Sequence, residues 1–222
     1  MKRLLVIASA ALYAASASAA ALSGHVSFLT KRGQHPVAEE TLVWLESAGA
    51  RHARRAPVNV QMMTKGKMLI PHVLAIPVGS TVSFPNQDPI SHNLFSLTSG
   101  NQFDLGLYRA GAGKSHTFST PGIVNVYCNV HPQMSAVIHV MAEPYFAFAD
   151  ARGDFALNDV PPGRYELVVW NEQGGMSRTA IDLPASGAPP PVAVTLDSRG
   201  YRVMGHTNKN GRAYEPPRSR EY

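Results

Sequence analysis

Cysteine is almost missing from this chain of 222 residues: Cys128 is the only one, so no disulfide can form within the chain. Long apolar runs are also missing after the first twenty residues, which excludes a membrane-spanning helix from the remainder. Charge is sparse, with Asp, Glu, Lys and Arg at 16% of residues and a formal net charge of +5. Lys2 and Arg3 carry two of those charges. About three more come from residue 197 onward, where Arg199, Arg202, Lys209, Arg212, Arg218 and Arg220 face Asp197, Glu215 and Glu221. The body between is close to neutral. A second basic cluster, Arg51-His52-Ala53-Arg54-Arg55, is offset by Glu39, Glu40 and Glu46. That cluster lacks interleaved aromatic stacking partners, and nucleic acid is not the expected partner of the chain.

What is present begins with Met1-Lys2-Arg3, the apolar run Leu4-Leu5-Val6-Ile7-Ala8 and small residues up to Ala17-Ser18-Ala19. A positive start, a short apolar core and an Ala-x-Ala end predict a signal peptide over residues 1–20, cleaved near Ala19 or Ala20. The run is too short and too rich in Ala and Ser for a comfortable membrane anchor. Export to the periplasm is therefore expected. In an oxidising compartment a lone cysteine is best explained as a ligand or a reactive thiol.

The mature chain reads as short β-strands. Gly24-His25-Val26-Ser27-Phe28 and Thr41-Leu42-Val43-Trp44-Leu45 flank turn residues Gly33-Gln34-His35-Pro36. Val73-Leu74-Ala75-Ile76 and Thr81-Val82-Ser83-Phe84 flank Pro77-Val78-Gly79-Ser80. Further strands are expected around Asn93 to Leu97, Phe103 to Tyr108, Ser115 to Phe118, Ile123 to Cys128 and Ser135 to Met141. In the run ending at Cys128, the two-residue period sets Val124, Val126 and Cys128 on one face, so the cysteine continues a core-facing row.

Chemistry concentrates in Tyr127-Cys128-Asn129-Val130-His131-Pro132-Gln133-Met134, a strand-to-strand connection. A thiolate, an imidazole and a thioether leave this one loop together. They are the ligand types of copper that cycles between Cu(I) and Cu(II): soft sulfur, borderline nitrogen and a weak axial thioether. A second histidine must complete the trigonal plane, and His92, at the end of Asn86-Gln87-Asp88-Pro89-Ile90-Ser91-His92, is the candidate. His72, His116 and His139 lie in or beside strands and read as structural. A binuclear copper centre needs two bridging cysteines, and multicopper oxidases use His-x-His pairs that this chain lacks. A copper monooxygenase brace needs an N-terminal histidine, which His25 supplies only if cleavage follows Gly24. A Cys-His hydrolase needs a histidine poised as a base rather than fixed by a metal.

These residues resemble the cupredoxins, the type 1 blue copper proteins. The short Cys-x-x-His-x-x-Met loop with Pro132 after its histidine is most similar to the amicyanin branch of the amicyanin/plastocyanin-like proteins. The chain also resembles methylamine-utilisation-type cupredoxin proteins. The resemblance covers residues 57–142 and implies a Greek-key β-sandwich holding one copper ion, Cu(I)/Cu(II), on His92, Cys128, His131 and an axial Met134. It implies that the Asn93 backbone amide donates to the cysteine sulfur and ties the two ligand loops, while Pro132 limits hydrogen bonding to the thiolate. The implied function is outer-sphere electron transfer between redox partner proteins by a monomer that is not an enzyme, with His131 as the electron portal. A copper carrier or an accessory binding module without redox turnover stays open as the other reading.

Beyond Glu143-Pro144, the stretches Asp150-Ala151-Arg152-Gly153-Asp154-Phe155 and Val160-Pro161-Pro162-Gly163-Arg164-Tyr165 resemble the carboxypeptidase regulatory-like, or prealbumin-like, β-sandwich module. The strands that usually open that module lie at Gly24 to Phe28 and Thr41 to Leu45. The expected fold class is therefore all-β, a Greek-key cupredoxin sandwich plus a second small β-sandwich. The expected division puts residues 22–56 and 143–196 in one sandwich, split by a cupredoxin domain over 57–142. The other assignment gives 22–56 to the cupredoxin as extra strands. Residues 197–222 have little apolar periodicity and are predicted to form a disordered basic tail.

Overall fold

A computed structural model describes residues 20–47, 54–203 and 205–214. The expected signal peptide, apart from Ala20, and residues 215–222 of the tail lie outside the described residues.

In chain order the described strands are β1 (Ala20–Leu29), β2 (Leu42–Glu46), β3 (Asn59–Gln61), β4 (Met63–Lys65), β5 (Met68–Ile70) and β6 (Val73–Pro77). There follow β7 (Thr81–Asn86), β8 (Leu94–Ser96), β9 (Phe103–Asp104), β10 (Gly111–Thr117), β11 (Gly122–Cys128) and β12 (Ser135–Met141). The last five are β13 (Phe146–Phe148), β14 (Asp154–Val160), β15 (Gly163–Asn171), β16 (Gly175–Leu183) and β17 (Val192–Asp197). The chain is all-β, with one short 3-10 turn at Ala38–Glu40 among the described residues.

The strands make four sheets. One runs β10-β7-β4-β5 with β3 also beside β7, and a second runs β6-β12-β11-β8-β9. Side chains of both meet in one core that includes Val82 and Phe84 of β7, Val124, Val126 and Cys128 of β11, and Ala136, Ile138 and Val140 of β12. The alternation along β11 sends these three residues inward and leaves Ile123 and Asn125 exposed. The other two sheets run β14-β1-β17 and β13-β2-β15-β16 and enclose a separate core with Val26, Leu45, Phe155, Leu157, Leu167 and Leu196. In the first of these, β1 is central, antiparallel to β14 and parallel to β17. Segments from before residue 57 and after residue 142 thus pair directly.

Strand β12 is buried on both faces, which explains its nearly unbroken apolar run. Its outer row, with Met141, packs against Leu42, Trp44, Phe146 and Val168 in a third core. His139 lies in that outer row, with ring centroids 4.3 Å from Trp170 and 6.0 Å from Trp44.

After β17 the described residues 198–203 and 205–214, part of the predicted tail, make polar contacts and ring stacking in place of apolar periodicity. Ser198 donates from both its amide and its hydroxyl to the Leu29 carbonyl. The chain then reaches the Cys128 loop, where the His206 ring stacks on Tyr127 at 3.8 Å.

Candidate metal centre

Three local structures bring the sequence-predicted residues together. Cys128 ends β11, where it pairs with Leu94 of β8 and the preceding Tyr127 pairs with Phe95. The loop then closes on itself, with the Cys128 amide donating to the Met134 carbonyl at 3.1 Å and the Met134 amide to the His131 carbonyl at 3.0 Å. His92 is fixed by a backbone bridge to Tyr108, each amide donating to the other's carbonyl at 3.0 and 2.9 Å. Rigid elements on both sides therefore set the three side chains.

The Nδ1 atoms of His92 and His131 lie 3.2 Å apart, and each lies 3.7 Å from the Cys128 sulfur. A point in that plane about 2.0 Å from both nitrogens falls about 2.1 Å from the sulfur, within the range of ordinary metal–imidazole and metal–thiolate bonds. The donor set therefore fits one transition-metal ion in a trigonal N,N,S arrangement. His92 and Cys128 are fully buried and His131 is partly exposed. Met134 is 1% exposed and sits in the same core as Cys128.

Electrostatics prepare the imidazoles as ligands. The Asp88 carboxylate lies 2.8 Å from His92 Nε2, so that nitrogen carries the proton and Nδ1 keeps its lone pair for the metal. Burial opposes ionisation of Asp88, but it accepts from the Lys67 amide at 3.0 Å, from His92 and from the Gly66 amide at 2.6 Å. Together these hold it below the ordinary carboxylate value, charged and oriented. Burial, reinforced by the neighbouring His92, holds His131 below the ordinary histidine value, which favours its neutral, metal-binding form.

Asn93 ties the two ligand loops through its carbonyl, which accepts from the Asn129 amide at 2.8 Å. Its side chain donates to Asp104 at 2.5 Å. Pro132 is exposed and its carbonyl accepts from His206.

No protein-family model matches the chain, and no curated protein matches it. Among solved structures it is similar to a purple cupredoxin from Nitrosopumilus maritimus, at 28% identity over 37% of this chain and 99% of that one, with a TM-score of 0.33. It is similar to a copper-containing nitrite reductase from Thermus scotoductus, at 25% identity over 53% of this chain and 28% of that one, with a TM-score of 0.36. A reduced Cu(I) amicyanin variant is similar at 22% identity over 45% of this chain and 98% of that one, with a TM-score of 0.34.

The other histidines lie elsewhere. His72 contacts the Ser135 carbonyl at 3.0 Å and Glu172 at 2.5 Å, and His116 stacks on Phe103 at 4.6 Å. Sequence reasoning passed over Asp88, although an acid four residues before a candidate ligand in a short loop was a usable signal. It also passed over His206, Lys209 and Tyr214, for which the tail's composition offers none.

Proposed function

We propose that the chain is an exported type 1 copper protein that carries single electrons between redox partner proteins in the periplasm, as a monomer and without catalysing a reaction of its own. The observation that supports this reading most is the triangle of His92, His131 and Cys128 donor atoms beneath the surface, with Met134 buried in the same core. Bound there, copper would supply a one-electron couple between Cu(I) and Cu(II). His92, Cys128, His131 and Met134 would hold it. Four protein ligands leave no open position for a substrate, which favours electron transfer over catalysis. The scaffold's contribution is to keep the donors at one spacing in both oxidation states and to exclude water from His92 and Cys128. The partly exposed His131 is the proposed portal to partners. Among the branches of blue copper proteins, the spacing of Cys128, His131 and Met134 favours the amicyanin-like, methylamine-utilisation type.

The same proposal assigns residues 22–56 and 143–196 to an outer sandwich of prealbumin-like type that carries 57–142 as an insertion. Its support is the pairing of β1 with β14 and β17, and of β2 with β13 and β15.

Optical and electron-spin-resonance spectra after addition of Cu(II), repeated with Cys128→Ser, test the reading. An intense visible sulfur-to-copper band with narrow hyperfine splitting is expected, bleached reversibly by reductant and lost in the variant. A pale tetragonal copper spectrum that the substitution leaves unchanged would overturn it in favour of a copper carrier or an accessory module without redox turnover.

A further inference from the structure

The segment after β17 makes contacts that its composition does not foreshadow, and they converge on the loop that bears Cys128 and His131. The segment first organises itself: the Asn208 amide donates to the Arg212 carbonyl at 2.7 Å, and the Asn208 side-chain oxygen accepts from the amides of Asn210 and Arg212 at 2.9 and 3.1 Å. Gly211, at φ +72, permits the reversal. This small turn then presents three groups to the loop. Tyr214 donates its hydroxyl to the Cys128 carbonyl at 2.8 Å. The Lys209 amide donates to Asn129 Oδ1 at 3.0 Å. His206 Nε2 donates to the Pro132 carbonyl at 2.7 Å while the ring lies nearly parallel to Tyr127, at 14°.

The fourth contact reaches the other ligand loop. Lys209 Nζ pairs with Asp104 at 2.7 Å, and Asp104 accepts from the side chain of Asn93, the residue after His92. The segment thus bonds to Cys128 itself, to the residue after His131 and, through Asp104, to the residue after His92. Within the loop between Cys128 and Met134, Pro132 has no amide hydrogen to give. The strap supplies bonds from outside. The Tyr214 ring stands edge-on to His206 at 5.3 Å and 89°, which braces the two anchoring rings against each other.

We propose that residues 205–214 are a positioning element of the metal centre, a strap that holds the ligand loop at its metal-binding spacing and slows loss of the metal. The proposal rests on the reading of His92, Cys128 and His131 as copper ligands. Outer-shell partners of metal ligands typically change metal affinity about 10- to 100-fold when removed, because the ligands they release must be re-ordered on binding.

The test uses the full chain loaded with copper, the double variant His206→Ala/Tyr214→Phe, and Arg202→Ala as a control for an exposed tail residue. The readouts are the sulfur-to-copper charge-transfer band and the rate at which a Cu(I) chelator removes the reduced metal. The strap predicts release about tenfold faster or more in the double variant, with a displaced band, and no change in the control. His206→Ala alone, which keeps the Tyr214 bond to Cys128, is expected to fall between. Equal release rates and identical spectra in the double variant and the unaltered protein would overturn the strap. Absence of a charge-transfer band in the unaltered protein would instead remove the ligand reading, and the strap's role with it.

Discussion

His139 offers a sharp test of the shared wall between the two sandwiches. It is 3% exposed, flanked by Trp44 and Trp170, and its Nε2 has no hydrogen-bond partner among the described residues. Burial lowers its pKa from 6.5 to about 4, because the imidazolium would lose its hydration and gain no partner. The unfolded chain therefore takes up a proton below about pH 6.5, whereas the folded chain does so only below about pH 4. Stability attributable to this residue is complete above the unfolded value and is lost as pH falls through that window. At 1.36 kcal/mol per unit, the loss is about 2 kcal/mol at pH 5 and about 3 kcal/mol at pH 4.

The perturbation is His139→Leu, which keeps an apolar side chain in the wall and removes the titration. Denaturant unfolding of metal-free protein is measured from about pH 7.5 to about pH 4 for both chains, so that other titrating groups cancel in the difference. Relative to the unaltered chain, the variant is expected to gain about 3 kcal/mol over that range. Parallel stability curves would refute the burial argument, since they would mean that His139 is hydrated or paired in the folded protein.

Three further outcomes are expected. Asp88→Asn replaces an oxygen that accepts in the network around Gly66, Lys67 and His92, and should weaken copper binding about 10- to 100-fold in a chelator competition. Glu172→Gln removes the chief partner that raises the pKa of His72; that pair's stability is present below about pH 6.5 and lost as pH rises through the raised value. The variant should therefore unfold about 1 kcal/mol more easily near pH 5.5 and converge with the unaltered protein at alkaline pH, since both partners are part-exposed. Gly113→Ala would place a Cβ 1.8 Å from the Phe84 carbonyl oxygen at φ +76, and should cost at least about 2 kcal/mol, read as a fall in Tm.

The strands most legible in the sequence were those with one face in a core. β7 and β11 alternate cleanly because their inner rows fill the first core, and β2 and β12 carry apolar runs because they are covered on both sides. The short β3, β4 and β5 were missed. Each spans three residues and owes its extended form to pairing with β7 or with a neighbour, not to a pattern of its own. β16 was missed for a related reason: it is an edge strand, mostly exposed, held by nine backbone partners in β15.

The sequence by itself determined the donor chemistry. One cysteine with a histidine three and a methionine six residues later leaves a soft-metal loop as the economical reading, and side-chain type and local spacing are enough to state it. Tertiary structure alone decided the rest. The distance from His92 to Cys128, 36 residues apart in the chain, depends on how β8 pairs with β11, which no local pattern encodes. The orientation of His92 depends on Asp88, itself held by amides of the β4–β5 turn. The order of residues 205–214 depends on acceptors in a loop more than seventy residues away, because a segment poor in apolar side chains folds only where another surface completes its hydrogen bonds.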